Sequence, residues 1–219
     1  MTARAPKLDW LNPRRRLSRS FYERPVLEVA RACIGAVLVH EAPEGVVAGR
    51  IVEAEAYRGP LDRAAHSFGG RRTARTQAMF GPAGHVYVFF VYGMHWNFNM
   101  VTGREGEPHA VLIRAVEPVA GVELMASRRA MAAQSLALTN GPGKVCQAFA
   151  ITREHYGWDL CASPLFLAAA PASAQRVRVA RAPRVGIGYA GEWAKKPWRF
   201  FEHENPYVSR RPRARKNAR

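Results

Sequence analysis

Ile51-Val52-Glu53-Ala54-Glu55-Ala56-Tyr57-Arg58-Gly59-Pro60-Leu61-Asp62-Arg63-Ala64-Ala65-His66 decides how the rest of the chain is read. Its β-branched start and Gly-Pro stop describe a strand running into a turn. Strand side chains alternate, so Ile51, Glu53, Glu55 and Tyr57 are expected on one face and Val52, Ala54 and Ala56 on the other. Two carboxylates beside an aromatic ring, with a histidine shortly after, are odd company for a core strand. They suit a site that holds a flat ring and activates a water. A half-exposed edge strand with solvated glutamates gives the same local pattern.

Working outward, Pro25 opens a helical pattern through Val26, Leu27, Val29, Ala30, Cys33 and Ile34, with Gly35 placed to close it. Ala36 to His40 and Val46 to Tyr57 read as strands around a Pro-Glu-Gly turn. Residues 58 to 84 are rich in glycine and arginine, a loop or short helix with long cationic reach. His85 to Tyr92 and His95 to Thr102 form a hairpin pattern around Gly93-Met94. Ala110 to Val116 reads as a strand carrying Arg114. Val122 to Leu138 has a helical period, and Lys144 to Ile151 a shorter one. Val177 to Val179 and Arg184 to Ile187 are strand candidates. There is no internal repeat. Neighbouring strands with short connections predict one α/β (α+β) domain on a mostly antiparallel sheet, with a protruding hairpin and flanking helices.

The 219 residues suffice for one domain with a real core. No apolar run is long enough to span a bilayer, and no apolar stretch follows the basic N-terminus, so no membrane partner and no secretory signal are expected. Cys33, Cys146 and Cys161 are odd in number and lack metal-ligand spacing. They predict a reduced compartment and no zinc site. The net charge is +16, of which residues 1–20 carry +5 and residues 209–219 carry +6. This divides the chain into a basic arm (1–20), a mildly basic domain (21–208) and a basic tail (209–219). Such ends add salt-sensitive affinity for a polyanion. Arginine outnumbers lysine 28 to 5, so part of the bias reflects composition alone.

Tyr87, Phe89, Phe90, Tyr92, Trp96 and Phe98 crowd the hairpin. Alternation buries one face of a ribbon, so some rings must face outward unless another layer covers them. Most are read as sheet core. Tyr92 and Met94, at the tip, are read instead as a wedge between base steps. Asn140-Gly141-Pro142-Gly143-Lys144 lacks the spacing of a nucleotide phosphate loop. A turn with a helix cap, or a contact to one phosphate, fits it equally.

Several long motifs, in order from about Leu27 to Phe201, resemble the alkyladenine (3-methyladenine) DNA glycosylase family. They are residues 51–60 through His66, 79–88 with Tyr92-Gly-Met and Asn99, 111–118, 140–148, 184–188 and 191–200. The resemblance implies a compact single domain around a curved antiparallel sheet. It implies a monofunctional enzyme, likened to monomers, that flips damaged purines from double-stranded DNA and hydrolyses the N-glycosidic bond without metal or other cofactor. By motif matching, Glu55 is the general base, and Arg114 and the Val185 carbonyl are partners of the attacking water. Tyr57 and His66 hold the flipped base, Tyr92 fills the gap left in the stack, and Asn99 crowds an exocyclic amine. Phe89 stands where the family usually has a tyrosine, which keeps the stacking face and loses a hydroxyl. Arg71, Arg75 and Lys144 are candidate phosphate contacts. The implied compartment is that of the chromosome: the cytoplasm, with the nucleoid, in a bacterium, or the nucleus in a eukaryote.

One carboxylate suffices for this chemistry, so Glu53 is read as structural and Asp62 as a turn cap. A lesion-binding module would not need a carboxylate beside DNA, and an RNA-binding protein would favour single strands. Removing residues 209 to 219 is expected to flatten salt dependence and leave chemistry unchanged.

Overall fold

The computed structural model describes residues 9–91, 93–170 and 177–210. Its strands are β1 (Val37–Ala42), β2 (Gly45–Tyr57), β3 (Val86–Val91), β4 (His95–Thr102), β5 (His109–Ala120), β6 (Leu165–Ala168), β7 (Val179–Ala182) and β8 (Arg199–Glu202). The α-helices are α1 (Arg19–Tyr22), α2 (Val26–Ala32), α3 (Val122–Arg129), α4 (Pro142–Ala148) and α5 (Glu192–Lys195). The eight strands form one sheet in the order β3-β4-β5-β2-β1-β6, every pairing antiparallel. Strand β2 serves two neighbours along one edge. Residues 45–50 pair with β1, and residues 53–55 pair with β8, which in turn carries β7.

Helices α2, α3 and α4 cover one face of the sheet. Val29, Met125, Val145 and Cys146 meet Leu38, Ile51, Ala54, Phe98, Ile113 and Val116 there in the main core. The other face carries smaller apolar clusters separated by buried charge. The hairpin rings divide between the two faces. Phe98 packs in the main core, while Tyr87 packs with Met79, Val101 and Ala110 on the opposite face. Two covering layers thus take Phe98 and Trp96 on one side and Tyr87 and Phe89 on the other, while Phe90 stays exposed. Gly143 lets α4 approach the hairpin: a Cβ there would lie 2.9 Å from that of His95.

Alternation along β2 fails at one point. Ile51 pairs with Val116 and Glu53 with Ala115, which leaves Val52 as an extra residue. Glu53 pairs with Ala115 and Ala54 with Ile113, which leaves Arg114 as an extra residue on β5. These consecutive bulges, one on each strand, reverse the facing of everything beyond them. Ile51 therefore shares the core face with Ala54 and Ala56, not with Glu53. Val52 packs on the opposite face with Ala115 and Phe201. The bulges also bring Glu53 and Arg114 together on that face.

Other boundaries differ from the sequence reading. The helical period over 122–138 holds only to Arg129. Ala130 takes a left-handed conformation (φ 48°), and Met131 and Ala130 donate back to Ala126 and Ser127. That is a glycine-type helix stop made by alanine. Leu136–Leu138 is a separate 3-10 turn. Residues 184–187 form no strand, and the short β6 and β8 were not anticipated. The described part of the basic arm is packed. Trp10 is buried with Val37, Val39 and Phe166, and Arg19 pairs with Asp159 at 2.5 Å. Residues 1–8 and 211–219 lie outside the described residues.

Two buried histidines join β1 to the turn at Arg153–His155. His40 Nδ1 lies 2.7 Å from the Phe149 carbonyl, and its Nε2 lies 3.4 Å from Nε2 of His155. His155 Nδ1 accepts from the Thr152 N–H. A carbonyl only accepts and an N–H only donates, so His40 is the Nδ1–H tautomer and His155 the Nε2–H tautomer. Burial holds both below the ordinary imidazole value. Such a group contributes stability that is complete above about pH 6.5 and is lost as pH falls through its folded-state value. Nitrogen NMR of the imidazoles at pH 7.5 should find both rings neutral in these tautomers; the opposite tautomer at either position would contradict the assignment.

Candidate active site

The sheet face opposite the helices carries a row of side chains at matched register. Tyr87 pairs with Asn99, Asn99 with Leu112, Leu112 with Glu55, and Glu55 with Arg199. Neighbouring positions add Phe89, Tyr57, Glu53 and the bulged Arg114. A cavity of about 450 Å³ opens over this row. Tyr57, His66, Tyr87, Phe89, Asn99 and Arg114 line it. Such a volume takes a small ligand between apolar walls with a few fixed polar groups.

Glu55 has no solvent exposure. Its Oε1 accepts the Val185 N–H at 2.7 Å. Its Oε2 accepts the Tyr57 hydroxyl at 2.9 Å and lies 3.4 Å from Arg114 Nη1. Burial raises the Glu55 pKa, and Arg114, the Val185 amide and the Tyr57 hydroxyl oppose that rise. A carboxylate offers about four lone-pair sites. Among the described residues, three donors engage it. Val185 reaches the carboxylate through its N–H, a contact that sequence resemblance did not supply.

Tyr57 is fixed at both ends. Its hydroxyl is on Glu55, and the Arg184 guanidinium lies 4.6 Å from its ring centroid. Arg184 is itself wholly buried and bonded to both oxygens of Asp62, at 2.5 and 2.9 Å. Asp62 also accepts the N–H groups of Arg58 and Ala64. It caps the turn as expected and, beyond that, anchors Arg184.

His66 Nδ1 lies 2.7 Å from the Tyr87 hydroxyl, and Arg75 Nη2 lies 3.4 Å from its Nε2. Guanidinium only donates, so Nε2 accepts and Nδ1 carries the hydrogen. Burial, and secondarily Arg75, push the His66 pKa down to about 4. The ring is neutral at neutral pH. Phe89 meets His66 edge-on at 4.5 Å, and Arg75 lies 5.1 Å over the Phe89 ring. Asn99 donates its amide to the Tyr87 carbonyl at 3.1 Å, which holds it in the cavity wall.

Of the residues singled out from sequence, Tyr57, His66, Phe89, Asn99, Arg114 and Val185 line this cavity, and the buried Glu55 lies behind its wall, in contact with Tyr57, Arg114 and Val185. Arg75 stands at its edge and, with Arg71, lines an adjoining cavity that also contains Tyr189 and Phe68. Met94 is exposed at the hairpin tip. Tyr92 lies outside the described residues. Lys144 Nζ is bonded to Asn140 Oδ1 at 2.7 Å, closing its own loop. Sequence reasoning missed Asn97, Leu112, Ile187 and Tyr189 in the wall. Matching the period of β4 and β5 across the sheet would have found the first two. No local signal marks the others.

Glu53 is buried beside the site and bonded to Arg114, Arg199 and the Ser209 amide. Segments remote in sequence therefore meet behind Glu55.

A family profile described as Methylpurine-DNA glycosylase matches residues 20–206. A protein of Desulfitobacterium hafniense named "Putative 3-methyladenine DNA glycosylase" is 51% identical over 202 residues, covering 89% of this chain and 98% of its own. Proteins of the same name from Methanocella arvoryzae and Bacillus thuringiensis are 48% and 45% identical. They cover 89% and 88% of this chain and 96% and 98% of their own.

Proposed function

The chain belongs to the methylpurine-DNA glycosylase family, and on that premise we propose that it flips alkylated or otherwise damaged purines out of duplex DNA and hydrolyses their N-glycosidic bonds with a Glu55-activated water. As a DNA glycosylase it is a hydrolase of N-glycosyl bonds, acting in base excision repair. The observation that carries the finer reading is the buried Glu55 carboxylate held by Tyr57, Arg114 and Val185, three residues in the wall of an aromatic-lined cavity.

In this reading the duplex buries the reacting bond, so the nucleotide swings out at a cost of roughly a few kcal/mol. Met94, exposed at the hairpin tip, holds the gap open, a role the resemblance also gives to Tyr92. The base enters between Tyr57 and Phe89, with His66 and Asn99 at its edges. A cationic alkylpurine gains about 0.5–2 kcal/mol from a ring face. Breaking the bond leaves the electron pair on the base, and positive charge builds on the sugar. The Glu55 carboxylate stabilises that charge and takes a proton from the water as its oxygen bonds to the sugar carbon. Arg114 keeps Glu55 ionised in a dry site. No covalent protein–sugar intermediate is formed, so the enzyme is monofunctional. Neutral His66 cannot repel a cationic base. Arg71 and Arg75 meet backbone phosphates at the mouth, and Lys144 does so on leaving Asn140. The protein acts as a monomer, in the compartment that holds the chromosome. No helix among the described residues is long and apolar enough to cross a membrane.

Single-turnover incubation with duplexes carrying hypoxanthine or ethenoadenine, and with methylated DNA, tests this directly. Base release is expected to survive EDTA. Tight lesion binding with no release from any substrate would replace the enzyme by a lesion-binding module.

A further inference from the structure

We propose that Glu53, Arg199 and the Ser209–Arg210 segment are positioning residues that set how Arg114 is shared between two carboxylates, so that the first residues of the basic C-terminal stretch belong to the active site. This rests on the reading of Glu55 as the general base.

Four buried charges alternate in a chain: Arg199, Glu53, Arg114, Glu55. Glu53 Oε1 receives Arg199 Nη1 at 2.9 Å and Arg114 Nε at 3.3 Å. Its Oε2 receives the Ser209 N–H at 2.7 Å. Each nitrogen of Arg114 has its own partner. Nε faces Glu53, Nη1 lies 3.4 Å from Glu55 Oε2, and Nη2 donates to Ser209 Oγ at 3.3 Å. Arg199 is held by the Pro183 carbonyl at 2.9 Å and the Arg210 carbonyl at 2.7 Å. The segment at 209–210 therefore touches Glu53, Arg114 and Arg199 at once.

The physical consequence is a competition. Arg114 stabilises ionised Glu55 only to the extent that Glu53 is satisfied by other donors. Arg199 and the Ser209 amide are those donors. Take the amide away, and the unsatisfied Oε2 of Glu53 draws Arg114 toward itself. Glu55 then loses part of its cation and holds its proton to higher pH. The groups facing Glu55 are Tyr57 and Glu53 on its own strand, Arg114 on β5 and Arg199 on β8. Arg184 and the Val185 amide face it from the segment after β7. Arg114 is the one cation among them whose guanidinium lies within 4 Å of its carboxylate. The bulges described above are what place Arg114 between its two anions. A cut that removes only the charge of the tail falls after Arg210, not before Ser209.

Ser209→Pro deletes the amide donor and the hydroxyl together. Its single-turnover base release at neutral pH is expected to fall tenfold or more, on the order of one lost transition-state contact. The acid limb of its pH–rate profile should move upward by about half a unit or more, with the rate recovering at high pH. Arg199→Lys keeps a buried cation but gives up the guanidinium contacts that hold it between Glu53 and the Pro183 and Arg210 carbonyls, so it weakens the other donor to Glu53 and should shift the limb the same way by less, which decides the matter should the proline variant not fold. A chain ending at Pro212, which leaves the Arg210 carbonyl in an amide, should keep the wild-type rate and limb, with a flatter salt dependence of DNA binding. A purely structural role for Ser209 would lower stability and leave the limb in place. Carbon NMR titration of the Glu55 carboxyl in the free protein reads the same shift without substrate, so the glycosylase reading and the positioning role fail separately. An unmoved Glu55 titration and an unmoved limb in both Ser209→Pro and Arg199→Lys would overturn the proposal.

Discussion

Glu55→Gln should remove base release while leaving lesion-containing duplex bound. Loss of a general base costs about 10²–10⁴ in rate. Glutamine fills the same volume and still offers one oxygen to the Val185 N–H, now 2.7 Å from Oε1. Its amide nitrogen cannot accept from the Tyr57 hydroxyl or pair with Arg114, so Tyr57 must turn its hydrogen elsewhere. The stacking face of Tyr57 is held independently by Arg184, which is why binding should persist. The wild-type pH profile carries a related expectation. Burial raises the Glu55 pKa above the ordinary carboxylate range. The base works only when ionised, so activity should fall as pH drops through that raised value, and the residual rate of Glu55→Gln should lack this limb. Lesion binding lost together with base release would mean that Glu55 serves the fold of the pocket and not the water.

The second large effect is on stability. Asp62→Asn should cost about 3–5 kcal/mol, because it leaves a buried arginine without its counter-ion. Neither side chain of the Asp62–Arg184 pair has solvent exposure. Asparagine preserves the turn-capping geometry at Arg58 and Ala64 but not the charge. At about 2–4 °C per kcal/mol for a chain of this size, the midpoint of thermal unfolding should fall by roughly 10 °C. The exposed Lys195–Glu192 pair is the control, and its removal should go unnoticed. A change in Asp62→Asn no larger than that control would show that Arg184 finds other partners.

How much of this was legible in the sequence depends on the range over which each feature is decided. The long strands and α2 were visible because alternation and Pro/Gly punctuation are local. Glu55, Tyr57, His66 and Asn99 were visible because resemblance carried motifs with their roles. The bulges were not, since a run of β-branched and small residues reads the same in either facing, and only the pairing partner shows that Val52 and Arg114 are extra. The end of α3 was hidden because alanine at 130 adopts a conformation that usually advertises itself with glycine. Strands β6 and β8 have four residues each, too few for a period to register. The network around Glu53, read as structural, was hidden for another reason: two of its partners lie 146 and 156 residues away, and no local rule joins them. Asp62 was read as a cap, which it is, while its ion pair depends on a segment 122 residues later.

The placement of β8 beside β2 has one more consequence, for biosynthesis. Glu55, the proposed general base, is made early, but Val185, which bonds to it, and Arg199 and Ser209, which bond to its neighbour Glu53, come much later. A growing polypeptide on the ribosome thus carries its carboxylate long before the groups that tune it have been translated. Contacts of such wide sequence separation form late. A prematurely terminated product would hold the hairpin and the aromatic wall, and with them a surface for DNA, but no tuned base. If Glu55 acts as proposed, competence to cut arrives only with the residues around 185–209, and shorter molecules are inert toward the genome.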